Sequence, residues 1–442
     1  MHRLHTMFNA KQTSHDAALF LKAKRDLMQC KSYESIQDLL LGLIKKNDQW
    51  RTKNCINLVA AESPMSQVAR SMLSCDLSIR TAGGHIGKNN RYFMACEYID
   101  QLESICHVLM TSLFDCRYFE HRLLGGTQAC QVVYSALTKP KDTLITVMPR
   151  HGGDSSNCSQ SMPGLLALNI VPMPFLADHL TIDLQQLEYL VCCYRPRLIT
   201  LGFSICLFEQ PLKEISIIAQ KYQAHVFYDA AHELGLIAGK CFANPFKRGV
   251  TLVSGSTGKT YSGPQGGVLL WDDEGLTQLI ETTVFPNFVG TYQLNRVAAL
   301  TLTALELHQY GEAYMRQVVR NAKALATYLD DFGLSVFAKE KNYTQTHQVL
   351  INVEKYGGGF KAACRLEACN IIGNQVSIPG HEKSFQGLRI ATTEITRKGM
   401  KEQQMQQIAE LIYRALATQE QAKRIASDAS CLSQSFQEIY YC

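Results

Sequence analysis

The chain has no apolar run long enough to span a bilayer, which argues against a membrane-embedded protein. Its first residues, MHRLHTMFNAKQTSHD, hold no continuous apolar segment, so no signal peptide is expected there. There are 16 cysteines, but none fall into the paired C-x-x-C spacings of zinc sites, and no metal is expected. Cys192-Cys193 is a vicinal pair, and Cys364 and Cys369 lie five apart. With no export signal, these read as reduced thiols of a cytoplasmic protein. Basic blocks are missing too. The net charge of +5 is spread along the chain, so a nucleic-acid partner is not expected. Internal repeats and low-complexity segments are also lacking.

What is present is length and order. A chain of 442 residues, 46% hydrophobic, can bury a sizeable core and form two or three domains. Up to about residue 50 the pattern is helical and amphipathic. Ser14-His15-Asp16 reads as a helix start before Leu19, Ala23 and Leu27, and Ser35–Lys46 as a second helix ending in lysines. From Asn54 the character changes. Residues 95–114 have helical period. Apolar runs at Thr143–Met148, Leu198–Phe203, Val226–Tyr228, Leu252–Val253 and Val268–Trp271 then alternate with helix-like stretches. That alternation implies an α/β fold, a mostly parallel sheet between helices. From about Arg296 a long helix, Ala298–Ala324, leads into a smaller α+β segment. It contains a strand at Val349–Val353, and terminal helices run from Lys401.

Ligands of such sheets sit in the loops after the carboxyl ends of the strands. Five of those loops carry chemistry. Gly125-Gly126-Thr127 opens a helix able to bind phosphate. His151-Gly152-Gly153 brings an imidazole, and Ser204 a hydroxyl. Asp229 and His232 share one loop. Ser256 and Lys259 share another, within the stretch TLVSGSTGKTYSGPQGG (251–267). A lysine held between two strands by small residues can be desolvated, as a carbonyl cofactor requires. Taken singly, each of these reads as well as a turn, a surface histidine or a helix cap. Their shared edge makes them a candidate site.

The residues also resemble a known family. The segments LVAAES (58–63), RYFMACEYID (91–100), GGTQA (125–129), RHGG (150–153), GFS (202–204), FYDAAHELGLIAG (227–239), STGKT with GPQGG (256–267), VFP (284–286) and LRIATTEITRKG (388–399) are similar, in order, to the serine hydroxymethyltransferase group. These are fold-type I enzymes of pyridoxal 5′-phosphate, of the aspartate aminotransferase-like architecture. The resemblance implies an N-terminal helical arm (1–53), a large cofactor-binding domain (54–295) and a small C-terminal domain (296–442). It implies that Lys259 bears the cofactor, that Asp229 pairs with the ring nitrogen, and that His151 stacks on the ring. Ser204 and His232 would lie near the ring oxygen, and Gly126, Thr127 and Ser256 would hold the phosphate. Arg389 would grip the substrate carboxylate with its fork of donors. A homodimer, or dimer of dimers, with shared sites is implied around Phe93 and Gly290.

The departures from the family pattern are equally specific. Where the family has Tyr-Ala-Glu-Gly, this chain has Thr81-Ala82-Gly83-Gly84. Phe93 stands for a tyrosine, Ala61 for a serine, Gly258 for the histidine before the lysine, and Gln265 for an arginine. A glycine pair after VFP becomes Gly290-Thr291. The missing glutamate is the acid–base group of the folate-dependent step. Related branches resemble threonine aldolases and transaldolases, which need a base at the β-hydroxyl, and His232 is the candidate. The leading expectation is folate-independent Cα–Cβ cleavage of a β-hydroxy-α-amino acid, with glycyl transfer to another aldehyde within reach of the same chemistry. Beside it stand a true glycine/serine hydroxymethyltransferase using tetrahydrofolate, and an inactive scaffold of the same fold.

Overall fold

The computed structural model describes residues 16–381 and 383–442. They form two compact units, one up to Cys55 and one from Ile56 to Cys442. The first unit is a helical pair. Helix α1 (Ala17–Gln29) is capped by Asp16, whose carboxylate accepts the N–H groups of Ala18 at 2.8 Å and Leu19 at 3.4 Å. Ser14 and His15, the rest of the expected start signal, lie outside the described residues. Helix α2 (Tyr33–Asp48) opens with a reciprocal Ser32–Ser35 capping box. It ends with Lys45 and Lys46 where a helix favours cations.

The second unit is built on a seven-stranded sheet. Its strands are β1 (Tyr118–Glu120), β2 (Thr143–Thr146), β3 (Asn169–Pro172), β4 (Leu198–Gly202), β5 (His225–Asp229), β6 (Leu252–Ser256) and β7 (Gly267–Trp271). In space they run β1-β7-β6-β5-β4-β2-β3. Only β7 is antiparallel to its neighbours; the other pairs are parallel. The central strands β4 and β6 are buried throughout, as continuous apolar runs covered on both faces must be. Covering helices include α3 (Glu97–Phe114), α4 (Gly126–Leu137), α5 (Leu184–Tyr194) and α6 (Leu212–Lys221). A second sheet of four strands follows: β8 (Ser335–Val336), β9 (Gln348–Asn352), β10 (Asn374–Val376) and β11 (Gly387–Ala391), in the order β8-β9-β11-β10, all antiparallel.

One helix joins the two cores. Helix α7 (Leu294–Asp331) has 38 residues. Its N-terminal two-thirds packs Val297, Leu300, Ala304, Leu307 and Val318 into the core around the large sheet. Its last third packs Ala322, Leu325, Ala326 and Leu329 into the core around the small one. Among the described residues no helix is long and apolar enough to cross a membrane.

Register places the chemistry. Gly202 of β4 lies beside Asp229 of β5, and Asp229 lies beside Ser254 of β6. Gly202 has no room for a side chain. A Cβ there would stand 2.3 Å from the Asn157 amide nitrogen, which crosses over it to reach Asp229.

Candidate active site

The carboxyl ends of β1, β2, β4, β5 and β6 share one edge of the large sheet, and the five loops after them meet there. Asp229 is held from three sides. Asn157 donates to its Oδ2 at 3.0 Å, Ser254 to its Oδ1 at 3.1 Å, and the Ala231 backbone to its Oδ1 at 3.3 Å. Burial, and the nearby charge of Asp154, raise its carboxyl above the usual range against these donors.

Lys259 follows β6 and is largely buried. Among the described residues its amine makes no hydrogen bond and no ion pair. Burial lowers its pKa, while Asp229 and Asp154 pull it up. Gly126 opens α4 with no side-chain cap, and a Cβ on it would stand 3.4 Å from that of Ser256. The bare N–H groups of that helix end therefore lie against Ser256, with Thr127 next in the turn. This is a cradle for a dianion.

On the opposite wall, β11 of the small sheet supplies Arg389. Its Nη1 donates to the Ser204 carbonyl, and its Nε to Asn374 Oδ1 at 3.3 Å. Burial lowers its pKa to about 10, which Asp154 partly offsets. Ser204 is the joint of this wall, for its hydroxyl donates to Asp154 Oδ2 at 2.7 Å and Gln348 donates to its carbonyl at 3.3 Å.

Two expected residues have further neighbours. The His151 ring, at the end of the short helical turn Pro149–His151, stacks on Phe175 with centroids 5.3 Å apart and planes 17° off, and its Nδ1 is buried without a hydrogen-bond partner among the described residues. Its pKa is lowered by burial and by Arg150. The residue of the same loop whose charge Lys259 and Asp229 feel is Asp154, three positions later, which the RHGG motif did not single out. His232 does reach the site, but both ring nitrogens are engaged. Nδ1 lies 3.4 Å from His347 Nε2, and Nε2 lies 3.4 Å from Arg389 Nη1. Burial first, then the charges of Lys259 and Arg389, hold its pKa well below the usual value. It is a neutral, fully enclosed imidazole, which disfavours it as the base at a β-hydroxyl. His347, stacked on it with centroids 5.6 Å apart, was not singled out in the sequence and is pushed down to about 3 by burial and Arg389.

The departures from the family pattern meet in two places. A Cβ at Gly83 would stand 3.2 Å from the Phe93 ring and 3.5 Å from the Gly290 carbonyl, so these changed positions share one small space. A Cβ at Gly258 would stand 2.7 Å from the Gln265 carboxamide. The glutamine fills the room that a side chain at 258 would take.

An α/β sheet with an unpaired buried lysine, a donor-held aspartate and a phosphate cradle at its carboxyl edge defines a fold-type I enzyme of pyridoxal 5′-phosphate. The comparisons narrow this. The family description "Serine hydroxymethyltransferase" matches residues 35–412. The serine hydroxymethyltransferase of Pyrococcus furiosus is 36% identical over 421 residues, covering 93% of this chain and 97% of that protein. That of Archaeoglobus fulgidus is 36% identical over 393 residues, covering 88% and 89%. A crystal structure of L-threonine transaldolase from Pseudomonas fluorescens, in its internal aldimine state, superposes with a TM-score of 0.85 at 25% identity, covering 94% of each chain. The chain belongs to the serine hydroxymethyltransferase family. It is a pyridoxal-phosphate enzyme of the hydroxymethyltransferase and aldolase type.

Proposed function

We propose that this enzyme cleaves the Cα–Cβ bond of a β-hydroxy-α-amino acid of the serine or threonine kind without folate, and can pass the glycyl unit to a second aldehyde. The observation that carries the reading is Gly83. The position of the folate-step glutamate holds no side chain, and its immediate neighbours are a phenyl ring and a backbone carbonyl. Neither can move a proton. The likeness to a threonine transaldolase supports the same reading.

When bound, pyridoxal phosphate supplies the sink for the electron pair released at the α-carbon. The chain's own residues do the rest. Lys259 carries the cofactor, and Asp229, fixed by Asn157 and Ser254, keeps the ring nitrogen protonated. Gly126, Thr127 and Ser256 hold the phosphate. Arg389, pinned to Ser204 and Asn374, presents its remaining donors to the substrate carboxylate. His232 and His347 brace that arginine as neutral rings.

The relatives' name favours a second reading, tetrahydrofolate-dependent serine and glycine interconversion. The initial rate of glycine formation from L-serine, with and without tetrahydrofolate, separates the two. Little or no stimulation is expected, together with cleavage of threonine-type substrates in the absence of folate. Stimulation of about a hundredfold, the size of one intact acid–base group, would return the second reading.

A further inference from the structure

Cleavage next to a β-hydroxyl needs a group that takes the hydroxyl proton, and His232 is closed on both sides. Asp154 has the opposite setting. It is half-buried, and its charge is felt at Lys259, Asp229 and Arg389. Its loop is locked. The Asp154 N–H donates to the Gly202 carbonyl at 3.1 Å, and its Oδ1 caps the next turn by accepting from the Ser156 N–H at 2.9 Å. Its Oδ2 accepts from the Ser204 hydroxyl at 2.7 Å. The other end of Ser204, its carbonyl, takes Arg389 Nη1. Asp154 and Arg389 are thus joined through one residue.

We propose that Asp154 is a catalytic group of this site, the carboxylate that accepts the hydrogen bond of the β-hydroxyl and then its proton. The electrons balance simply. The O–H bond of the hydroxyl breaks, and its electron pair becomes the second bond of the aldehyde carbonyl. The Cα–Cβ pair stays with the glycyl fragment, and the proton passes to Asp154. Asp154 passes it on to solvent, and the glycyl fragment takes an equivalent proton from Lys259 or water, so no oxidant or further reactant enters. Charge agrees with this role. Burial pushes the Asp154 carboxyl up, but the hydrogen bonds from Ser156 and Ser204 and the charge of Lys259 outweigh it, and its pKa is lowered. The group is therefore an anion when substrate arrives. The other titratable groups around Lys259 are Asp229, Arg389, Glu233, His232 and His347. Of the three carboxyls, Asp229 is taken up by its donors, and Glu233 is fully buried.

This inference rests on the proposed retro-aldol reaction, and the test separates the two. Asp154→Asn and Asp154→Glu are compared with the parent holoenzyme on a threonine-type substrate and in exchange of the glycine α-proton, which needs no β-hydroxyl base. Asp154→Asn is expected to lose about 10²–10⁴ in cleavage rate. It should keep α-proton exchange within roughly threefold, and Asp154→Glu should recover part of the cleavage. A second readout is independent of turnover. The negative charge of Asp154 raises the Lys259 pKa, so Asp154→Asn should move the pH titration of the visible cofactor band to lower pH. Equal loss of cleavage and exchange, or cleavage unchanged in Asp154→Asn, overturns the assignment and leaves the reaction standing. A parent enzyme that exchanges the glycine proton but cleaves no β-hydroxy amino acid overturns the proposed reaction itself.

Discussion

Two buried charge clusters in this protein behave in opposite ways. One lies under helix α3. Arg91 donates to Glu103 and pairs with Asp100 at 2.7 Å, and Tyr292 also donates to Glu103. Arg122 and Glu120 form a second pair at 2.6 Å close by. The charges just named each meet an opposite; Arg296 beside them has no ion pair among the described residues, and burial lowers it to about 10. Against the cost of burial, the Glu103 carboxyl is pulled down to about 2 by His121, Tyr292 and Arg91, and the pKa of Arg91 is raised. The other cluster is the candidate active site. Lys259 has no hydrogen-bonding partner among the described residues, Arg389 is lowered to about 10, and His347 to about 3. Glu233, whose nearest polar neighbour is the Cys206 thiol, has no hydrogen bond at either oxygen among the described residues and is raised by burial to about 8. Pairing fixes charge in the first cluster, and withheld pairing loosens it in the second. Displaced protonation of this kind is what chemistry uses.

The contrast can be broken from either side. The largest effect is expected at Lys259. Lys259→Ala should abolish covalent attachment of the cofactor and lower turnover by about 10⁴ or more, the upper end for a group that moves protons. Absorbance of the purified protein and borohydride labelling check this, and label on another lysine would refute it. The next is in the paired cluster. Glu103→Gln should cost about 3 kcal/mol of stability, the low end for breaking a buried pair, because Asp100 still reaches Arg91. A urea midpoint measures it, and a midpoint unchanged from the parent would show that the pairing contributes little.

A third prediction sharpens the contrast through pH. Glu103 has a folded pKa below the ordinary carboxyl value of 4.5, so its contribution is present above pH 4.5 and is lost as pH falls towards about 2. Glu233 has a raised one. Its contribution is full below pH 4.5 and is lost as pH rises through about 8. Glu233→Gln should therefore flatten the decline in urea midpoint between those two values and leave the acid limb alone. A parent protein whose midpoint does not fall over that interval would contradict the assignment. The smallest effect is at the changed pair. Gly258→His alone should be destabilising, because Gln265 occupies the space. Gly258→His with Gln265→Gly should recover part of that loss, with a coupling of about 0.5–3 kcal/mol between neighbours. Strict additivity would mean that the two positions do not sense each other.

What could be read from the sequence follows the same division. Strands β2, β4, β5, β6 and β7 announce themselves as apolar runs, and Asp229, Ser204 and Lys259 follow such runs; Arg389, inside β11, was named only by the family resemblance. Both edges of the large sheet were illegible. Strand β1, Tyr-Phe-Glu, is three residues long and ends in a glutamate buried because Arg122 pairs with it, and β3, Asn-Ile-Val-Pro, ends in a proline that only an edge strand tolerates. The antiparallel run of β7 has no local signal either. Asp154 was passed over for a different reason: the RHGG motif drew the eye to His151, and nothing local announces that the charge three positions on is felt by Lys259 and Asp229. The helices were placed well in kind but not in extent, since α7 runs past both ends of the expected Ala298–Ala324.

The 38-residue helix gives the molecule a spine. At about 1.5 Å per residue it is a rod of roughly 57 Å, keyed into one core along its first two-thirds and into the other along its last third. Lys259 hangs from the first core and Arg389 from the second. The rod and the Arg389–Ser204 contact together tie the two cores to each other. A change that loosens the helix's hold on either core would therefore be felt at both walls of the site, far from the residue altered.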